Sequence, residues 1–121
     1  MPDAAVPGGP TPVLQGRLDG AVPGSGEAFH GLARIGAARI EHIVSSAHPD
    51  HDEQVQDGDE WVLLLTGAAA LELPEGRLDL APGQWLVIPA GVPHRVLRTD
   101  AGTQWLAVHG PVAPGDRAGE G

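Results

Sequence analysis

The stretch GQWLVIPAGVPH, residues 83–94, decides the fold of this chain. An apolar run at 85–88 ends at Pro89, and a turn that contains Gly91 leads into His94. Glycine adopts positive φ without steric cost and proline fixes φ, so this turn has little conformational freedom. The pattern therefore predicts a strand whose end holds the imidazole of His94 in place, as a metal ligand or a catalytic base requires.

The composition limits the class of protein before any other motif is considered. The chain has 121 residues, 41% of them hydrophobic, which is enough for one domain with a modest core. Its 18 glycines and 12 prolines predict many turns and few long helices. The absence of cysteine excludes disulfides and thiolate metal sites.

The charge and the hydropathy of the chain limit its partners and its location. A net charge of −9 at pH 7 argues against nucleic acid and anionic membranes, because both are bound through basic patches. No apolar run approaches the roughly 18 to 20 residues of a membrane span. The N-terminus also lacks the basic and apolar regions of a secretory signal. These features predict a cytoplasmic protein with no nucleic-acid or membrane partner.

The ends of the chain differ in composition from the middle. Residues 1–12 and 111–121 are rich in proline and glycine, and we expect both to be flexible tails. The domain is therefore expected at 13–110, and residues 13–22 are expected to form a short strand or an extended arm.

One short helix is predicted before the strands begin. Ser25 is a suitable N-cap, and Glu27 in the first turn would interact favourably with the helix dipole. Phe29 and Leu32 would then share one helical face, up to a stop at Gly36. We expect this helix to pack on the outside of a sheet.

Beyond this helix the hydrophobic period changes to two, the period of strands. Strands are expected at 38–45, 60–66, 68–73, 77–80, 84–88, 94–99 and 103–109. The third and fourth of these would form one hairpin, and the last two another. The second and fifth are apolar on both faces, as expected of central strands. About seven short strands separated by Gly/Pro turns predict an antiparallel sandwich or barrel.

The opening stretch resembles the second sequence motif of the cupin superfamily. The Gly, Pro, Gly and His of that motif correspond to Gly83, Pro89, Gly91 and His94. The resemblance covers roughly residues 29–109 and is strongest to short, stand-alone, single-domain bacterial cupins. It implies an all-β fold, a cupin-type double-stranded jelly-roll barrel, here with one short N-terminal helix.

The first cupin motif is only half present. Its Glu and Gly correspond to Glu60 and Gly67, but its two histidines correspond to Gln54 and Gln56. In the family these ligands and the later histidine bind a divalent metal inside the barrel. The resemblance thus implies a metal site of Gln54, Gln56, Glu60 and His94, with Mn, Fe, Zn or Ni as candidates. Amide oxygens bind Zn, Fe and Ni weakly, so whether a metal is bound stays open.

The other histidines have less specific signals. His109 ends the last strand and is a candidate to line the same cavity. His48 and His51 lie in an acidic loop, where exposure is the commoner fate, although they are alternatives for the missing imidazoles. His42 shares a strand face with apolar residues and is expected in the core or at its rim. His30 is expected on the surface.

Two further expectations concern charged and aromatic residues. Glu60 begins an apolar strand, and the alternative to a metal-ligand role is an ion pair with Arg95 or Arg98. Arg98 replaces the Asn that cupins usually carry at this position. The core or the cavity wall is expected to contain Trp61, Trp85 and Trp105.

Three functions are consistent with these residues. The first is a metal-assisted enzyme acting on a small oxygenated substrate, with His94 as metal ligand or proton shuttle. The second is a non-catalytic barrel that binds a small molecule, and the third is a homodimerising protein with a vestigial site. Many reactions occur on this fold, so the fold alone does not choose among them.

Overall fold

The computed structural model describes residues 11–111, so most of the two predicted tails, 1–10 and 112–121, lies outside it. The described chain forms eight strands and no helix. The strands are β1 (Glu27–Ile35), β2 (Ala38–Ser45), β3 (Glu60–Thr66), β4 (Ala69–Leu73), β5 (Gly76–Leu80), β6 (Trp85–Ile88), β7 (Arg95–Thr99) and β8 (Thr103–His109). These residues therefore contain no helix that could cross a membrane.

The strands form two antiparallel sheets that share one core. The larger sheet has the order β1-β2-β8-β3-β6, and the smaller one has the order β5-β4-β7. Both sheets contribute to the buried cluster, which comprises Ile43, Val62, Leu64, Ala69, Leu71, Leu80, Trp105 and Ala107. Every second side chain of a strand points toward this cluster. Burial of these apolar side chains stabilises the packing of the two sheets against each other. The all-β prediction is confirmed, in an arrangement consistent with a cupin jelly roll.

The predicted N-terminal helix is wrong, because residues 27–35 form β1 instead. This strand pairs with β2 along its length, through a two-residue hairpin that joins Ile35 to Ala38. Of the two loop residues only Gly36 has a positive φ, of 59°, which is the backbone pattern of a type II′ hairpin turn. A single short helix is marginal in water, whereas pairing with β2 supplies hydrogen bonds along the whole segment.

One of the two predicted hairpins is confirmed and the other is wrong. The strands β4 and β5 pair around a tight turn, with Leu73 opposite Gly76. By contrast, β7 pairs with β4 in the smaller sheet, while β8 pairs with β2 and β3 in the larger one. Residues 100–102 do form a tight turn, but this turn carries the chain from one sheet to the other. A turn signal fixes where the chain reverses and not which strand it then joins.

The tryptophans occupy different environments. Trp105 is only 4% exposed and belongs to the core, as predicted. Trp85 is 60% exposed, because β6 is an edge strand and this side chain is on its outer face. The prediction of a central position therefore holds for β3, which lies between β8 and β6, and fails for β6.

An extended segment without regular structure, residues 11–23, precedes the sheets. It lies beside the larger sheet, where Gly20 is next to Gln104 and Val22 is next to Gly102. The imidazole of His42 is fully buried in this region, with Nε2 2.8 Å from Gln104 Oε1, as expected of a core histidine. His30 stacks on His42 and is half-buried, so its predicted surface position is only partly correct.

The cupin-motif glycine Gly67 is predicted to be essential for stability because of a close approach to β8. A Cβ at this position would overlap Thr103 Oγ1 and lie 2.7 Å from Thr103 Cα, and φ is 92°. Gly83 has nearly the same φ, 90°, but an added Cβ there meets no atom within 4 Å. We expect Gly83→Ala to cost about 1–2 kcal/mol of unfolding free energy. Gly67→Ala should cost a further ~1–3 kcal/mol from the steric overlap.

Urea denaturation of the two variants beside the wild type measures this difference. Since both glycines have nearly the same φ, equal losses of stability would show that Thr103 moves aside at no cost, and would refute the prediction.

Candidate functional site

One cavity of about 450 Å³ lies between the two sheets. Its apolar walls come from both sheets and include Ile43, Val62, Leu71, Ile88, Val96 and Trp105. Its polar lining residues are Glu27, Asp50, Asp52, Gln54, Gln56, Glu60 and His94. The four residues of the predicted metal site therefore line the same cavity, although they come from a loop, a strand start and a turn.

Backbone hydrogen bonds join the two halves of the cupin signature. Gln54 N donates to His94 O at 2.7 Å, and His94 N donates back to Gln54 O at 3.0 Å. Gly91 N donates to Gln56 O at 2.8 Å, with a φ of 80° that a residue other than glycine rarely adopts. The turn that ends in His94 is thus fixed to residues 54–56 without the use of any side chain.

The imidazole of His94 is held in one tautomer. Its Nδ1 lies 3.1 Å from the carbonyl oxygen of Val92. A carbonyl oxygen only accepts hydrogen bonds, so Nδ1 carries the proton and Nε2 has the free lone pair. Because His94 lines the cavity, Nε2 is the nitrogen available as a metal ligand or as a proton acceptor.

Glu60 is buried beside two other ionisable side chains. Its residue exposure is 8%, and it faces His109 across the β3–β8 pair. His109 Nε2 lies 3.0 Å from Glu41 Oε1 and 3.9 Å from Glu60 Oε2. His109 thus contacts Glu41 directly and sits next to Glu60, and it is not among the residues that line the cavity.

The arginine partners considered for Glu60 are engaged elsewhere. Arg95 forms ion pairs with Glu72 at 2.7 Å and with Glu53 at 3.3 Å. Arg98 pairs with Asp100 at 2.6 Å. Within residues 11–111, Glu60 has no hydrogen-bond partner, so its carboxylate faces the cavity with unused acceptor capacity.

The two glutamines at the motif histidine positions differ in their surroundings. Gln56 Oε1 is fully buried and has no hydrogen-bond partner in the described part of the chain. Gln54 is exposed, and its Nε2 donates a long hydrogen bond of 3.5 Å to Asp52 O. Gln56 therefore offers an oxygen to the cavity, while the Gln54 side chain is occupied at the rim.

The acidic-loop histidines do not replace the missing imidazoles. His48 and His51 are both exposed, and neither lines the cavity. His51 Nδ1 lies 3.1 Å from Val96 O, which ties the loop to β7. The expectation of surface histidines is met.

The residue that sequence reasoning missed is Glu27. Assigned to the first turn of a helix, it instead lies on the inner face of β1 and lines the cavity. Its Oε2 accepts a hydrogen bond of 2.6 Å from Ser45 Oγ, which itself accepts one of 3.0 Å from Trp105 Nε1. The available signal was Gly36 shortly before the alternating segment 38–45, since a glycine at that point suits a hairpin turn into a strand.

The electrostatic environment of Glu27 raises the pKa of its carboxyl. Burial raises the pKa of this carboxyl above its ordinary value, the Ser45 hydroxyl opposes that rise, and the nearby carboxylates of Glu60 and Glu41 add to it. Of the two carboxylates that act on Glu27, Glu60 also lines the cavity, so an occupant with positive charge would relieve the repulsion between Glu27 and Glu60.

The possible metal ligands in this cavity suit a cation that prefers oxygen ligands better than one that prefers sulfur or imidazole ligands. Among residues 11–111, no group of three or more His, Cys, Asp or Glu side chains is placed to hold a metal ion. That finding agrees with the replacement of both motif histidines by glutamine. The remaining donors are Gln56 Oε1, the Glu60 carboxylate and His94 Nε2, one amide, one carboxylate and one imidazole. Such a set suits Mn²⁺ or Mg²⁺ more than Zn²⁺ or Ni²⁺.

Comparison with known proteins identifies the family. No family model matches the chain, and no curated protein matches it. A solved structure from Ralstonia eutropha JMP134, provisionally a mannose-6-phosphate isomerase, is 36% identical with a TM-score of 0.70. The match covers 82% of this chain and 99% of that chain.

Two more distant structures share the fold. KdgF from a Halomonas species is 16% identical, with a TM-score of 0.65 over 74% of this chain and 83% of that chain. A cupin superfamily protein of Desulfitobacterium hafniense DCB-2 is 23% identical, with a TM-score of 0.56 over 70% of this chain and 77% of that chain. Fold and cavity together define a small two-sheet barrel with an acceptor-lined interior. The chain belongs to the cupin superfamily.

The raised pKa of Glu27 predicts a specific pH dependence of stability. The folded protein holds this proton more tightly than the unfolded chain, so between the two pKa values folding takes up protons. Stability therefore falls as pH rises from 4.5 through the folded-state pKa. Glu27→Gln removes the titrating group, and with it this pH dependence of the unfolding free energy, but keeps an acceptor for Ser45. The variant should therefore gain stability relative to the wild type as pH rises.

Thermal denaturation from about pH 4 to about pH 8 measures this divergence. Glu75→Gln, which removes an exposed charge in the β4–β5 turn, should follow the wild type at every pH. Parallel curves for the wild type and Glu27→Gln would show that burial does not perturb this carboxyl.

Proposed function

We propose that this cupin is a metal-assisted protein that acts on a small oxygenated substrate inside the barrel. Gln56, Glu60 and His94 would hold a divalent cation such as Mn²⁺. The observation that carries the proposal is that two acceptors belong to one cavity: Gln56 Oε1, which is buried without a hydrogen-bond partner, and the Glu60 carboxylate, whose nearest charged group is His109 Nε2 at 3.9 Å. A buried acceptor without a donor costs free energy, so a cation or a donor in the cavity would stabilise both groups.

His94 is the third component of this proposal. With Nδ1 bound to Val92 O, its Nε2 lone pair is oriented by the backbone and needs no rearrangement to accept a cation or a proton. A bound cation supplies Lewis-acid polarisation of a substrate oxygen. In the absence of a cation, the same nitrogen is the candidate general base, within reach of a ligand in the cavity.

A second candidate function is a non-catalytic barrel that binds a small molecule. It is favoured by the exposure of Gln54, whose side chain bonds to Asp52 O and leaves only three donors around the proposed cation. It is also favoured by the apolar walls, which suit an organic ligand. The two candidates differ in whether a metal binds, so a binding measurement separates them.

Titration of chelator-treated protein with Mn²⁺ tests the first candidate. We expect one ion per chain, detected by calorimetry and by the loss of the free-ion electron paramagnetic resonance signal. Glu60→Gln and His94→Ala should each weaken binding by more than the roughly 10- to 100-fold that loss of an outer-shell partner costs. Gln56→Leu should weaken it less, because an amide oxygen is the weakest of the three ligands.

His48→Ala is the matched histidine control, since this exposed side chain lies outside the cavity. It should bind Mn²⁺ as the wild type does. Absence of binding by the folded wild type would reject the metal-assisted function in favour of the non-catalytic one. Binding that survives both Glu60→Gln and His94→Ala would place the ion elsewhere.

The homodimer, the cytoplasmic location and the lack of nucleic-acid or membrane partners remain proposals. Exposed apolar side chains on the outer face of β6, Trp85 and Val87, support pairing of two copies through the larger sheet. Sedimentation equilibrium of the wild type and of Trp85→Glu would decide whether this face is the contact.

A further inference from the structure

The charges that surround the cavity are all of one sign. Four carboxylate side chains line it, those of Glu27, Asp50, Asp52 and Glu60. Among residues 11–111 no arginine lines it, and the sequence contains no lysine. An anionic ligand would meet like charges and no counter-charge, which disfavours its binding.

Phosphate recognition in particular lacks its usual donors. Bidentate arginines, lysines and helix N-termini bind phosphate groups in proteins. The three arginines on the smaller sheet, Arg77, Arg95 and Arg98, already form ion pairs with acidic side chains, and the described chain has no helix. The substrate class suggested by the name of the Ralstonia structure, a sugar phosphate, does not suit this cavity.

The unsatisfied groups in the cavity are acceptors. Glu60, at 8% exposure, has no hydrogen-bond partner in the described range, and Gln56 Oε1 has none either. Within the same range Ser45 is the only hydrogen-bond partner of the Glu27 side chain, through Oε2, so Oε1 is available to a ligand. A ligand that satisfies these groups must bring N–H or O–H donors, positive charge or both.

Glu27 is the carboxylate best arranged to hold such a group. Ser45 Oγ donates to it at 2.6 Å, and Trp105 Nε1 holds Ser45 in turn at 3.0 Å, so the carboxylate is fixed before any ligand arrives. Phe29 lies two residues along the same strand face, and Trp105 forms part of the wall. The cavity thus combines a fixed anion with aromatic surface, a combination suited to an amine with an apolar body.

We propose that the substrate or ligand of this cupin is a small organic cation, a primary amine with an apolar body, whose ammonium group binds Glu27. The proposal rests on the proposed function in that both place the ligand in this cavity. It deepens that function by naming the charge of the ligand and a binding residue outside the cupin motifs. Asp50 and Asp52, at the exposed rim, attract the same cation toward the opening.

A set of three probes of nearly equal size tests the charge preference. Benzylamine is cationic at neutral pH, benzyl alcohol is neutral and benzoate is anionic. Titrated into chelator-treated wild-type protein and followed by calorimetry, benzylamine is expected to bind on the order of tenfold or more tighter than benzyl alcohol, from a charge-assisted hydrogen bond. Benzoate is expected to bind most weakly. Equal binding of the three probes, tightest binding of benzoate, or no detectable binding of benzylamine overturns the proposal without reference to any variant.

Variants then locate the ammonium group. Glu27→Gln should reduce benzylamine binding to the level of benzyl alcohol, while Glu75→Gln, an exposed change of equal charge, should leave it unaltered. Glu27→Asp, which keeps the charge but withdraws it from the cavity, should give an intermediate loss and guards against misfolding of the first variant. Retention of tight benzylamine binding by Glu27→Gln overturns the assignment.

Two comparisons separate this proposal from the metal-assisted function. If the wild type does not bind Mn²⁺ but binds benzylamine in a way that requires Glu27, the metal-assisted function is rejected and the amine proposal stands. If benzylamine binding is lost in Glu60→Gln and kept in Glu27→Gln, the ammonium occupies the cation position and the Glu27 assignment is wrong.

Discussion

The site depends on the backbone bridge between residues 54 and 94. Two hydrogen bonds in opposite directions join Gln54 to His94, and the amide of Gly91 adds a third to Gln56. These bonds fix a long polar loop against a rigid turn, although the two segments are about forty residues apart in sequence. They use no side-chain atom. The amides and carbonyls of this bridge are therefore satisfied whatever side chains the two positions carry.

The parts of the structure that sequence reasoning predicted are those specified by local chemistry. The turn at 89–94 follows from proline and glycine at fixed offsets, and the β4–β5 hairpin follows from two alternating segments around a short turn. The expectation that Gln56, Glu60 and His94 line one cavity came from the family resemblance, because these residues lie on separate segments. No local signal contains that information.

The predictions that were wrong concern features that depend on pairing between strands distant in sequence. Residues 27–35 have a plausible helix start and a plausible hairpin, and only the availability of β2 as a partner decides between them. Glu27 was missed for this reason, since its position in the cavity requires β1 to be a strand. Likewise, the position of the turn at 100–102 was predicted correctly, but the partners of β8 were not. The sheet that β8 joins depends on how β8 pairs with β2 and β3, which are distant in sequence.

Burial of acceptors without donors constrains what this cavity holds. The buried Gln56 oxygen without a donor costs folding free energy, and the repulsion of Glu27 by Glu60 and Glu41 adds to that cost. Folded proteins retain such groups where a ligand or function compensates. The fixed hydrogen-bond chain from Trp105 through Ser45 to Glu27 limits how far the site relaxes on its own.

These two constraints together explain how a cupin can lose motif histidines and keep its architecture. The bridge and the glycines at 67, 83 and 91 specify the barrel through the backbone, so replacing imidazoles at 54 and 56 by amides leaves the scaffold unchanged. The chemistry of the cavity is then free to change separately, through Glu27 and the rim aspartates, which lie outside both motifs. For this reason the motif that places His94 does not determine the ligand, whereas the sign of the charges around His94 limits it to cations and to neutral molecules rich in hydrogen-bond donors.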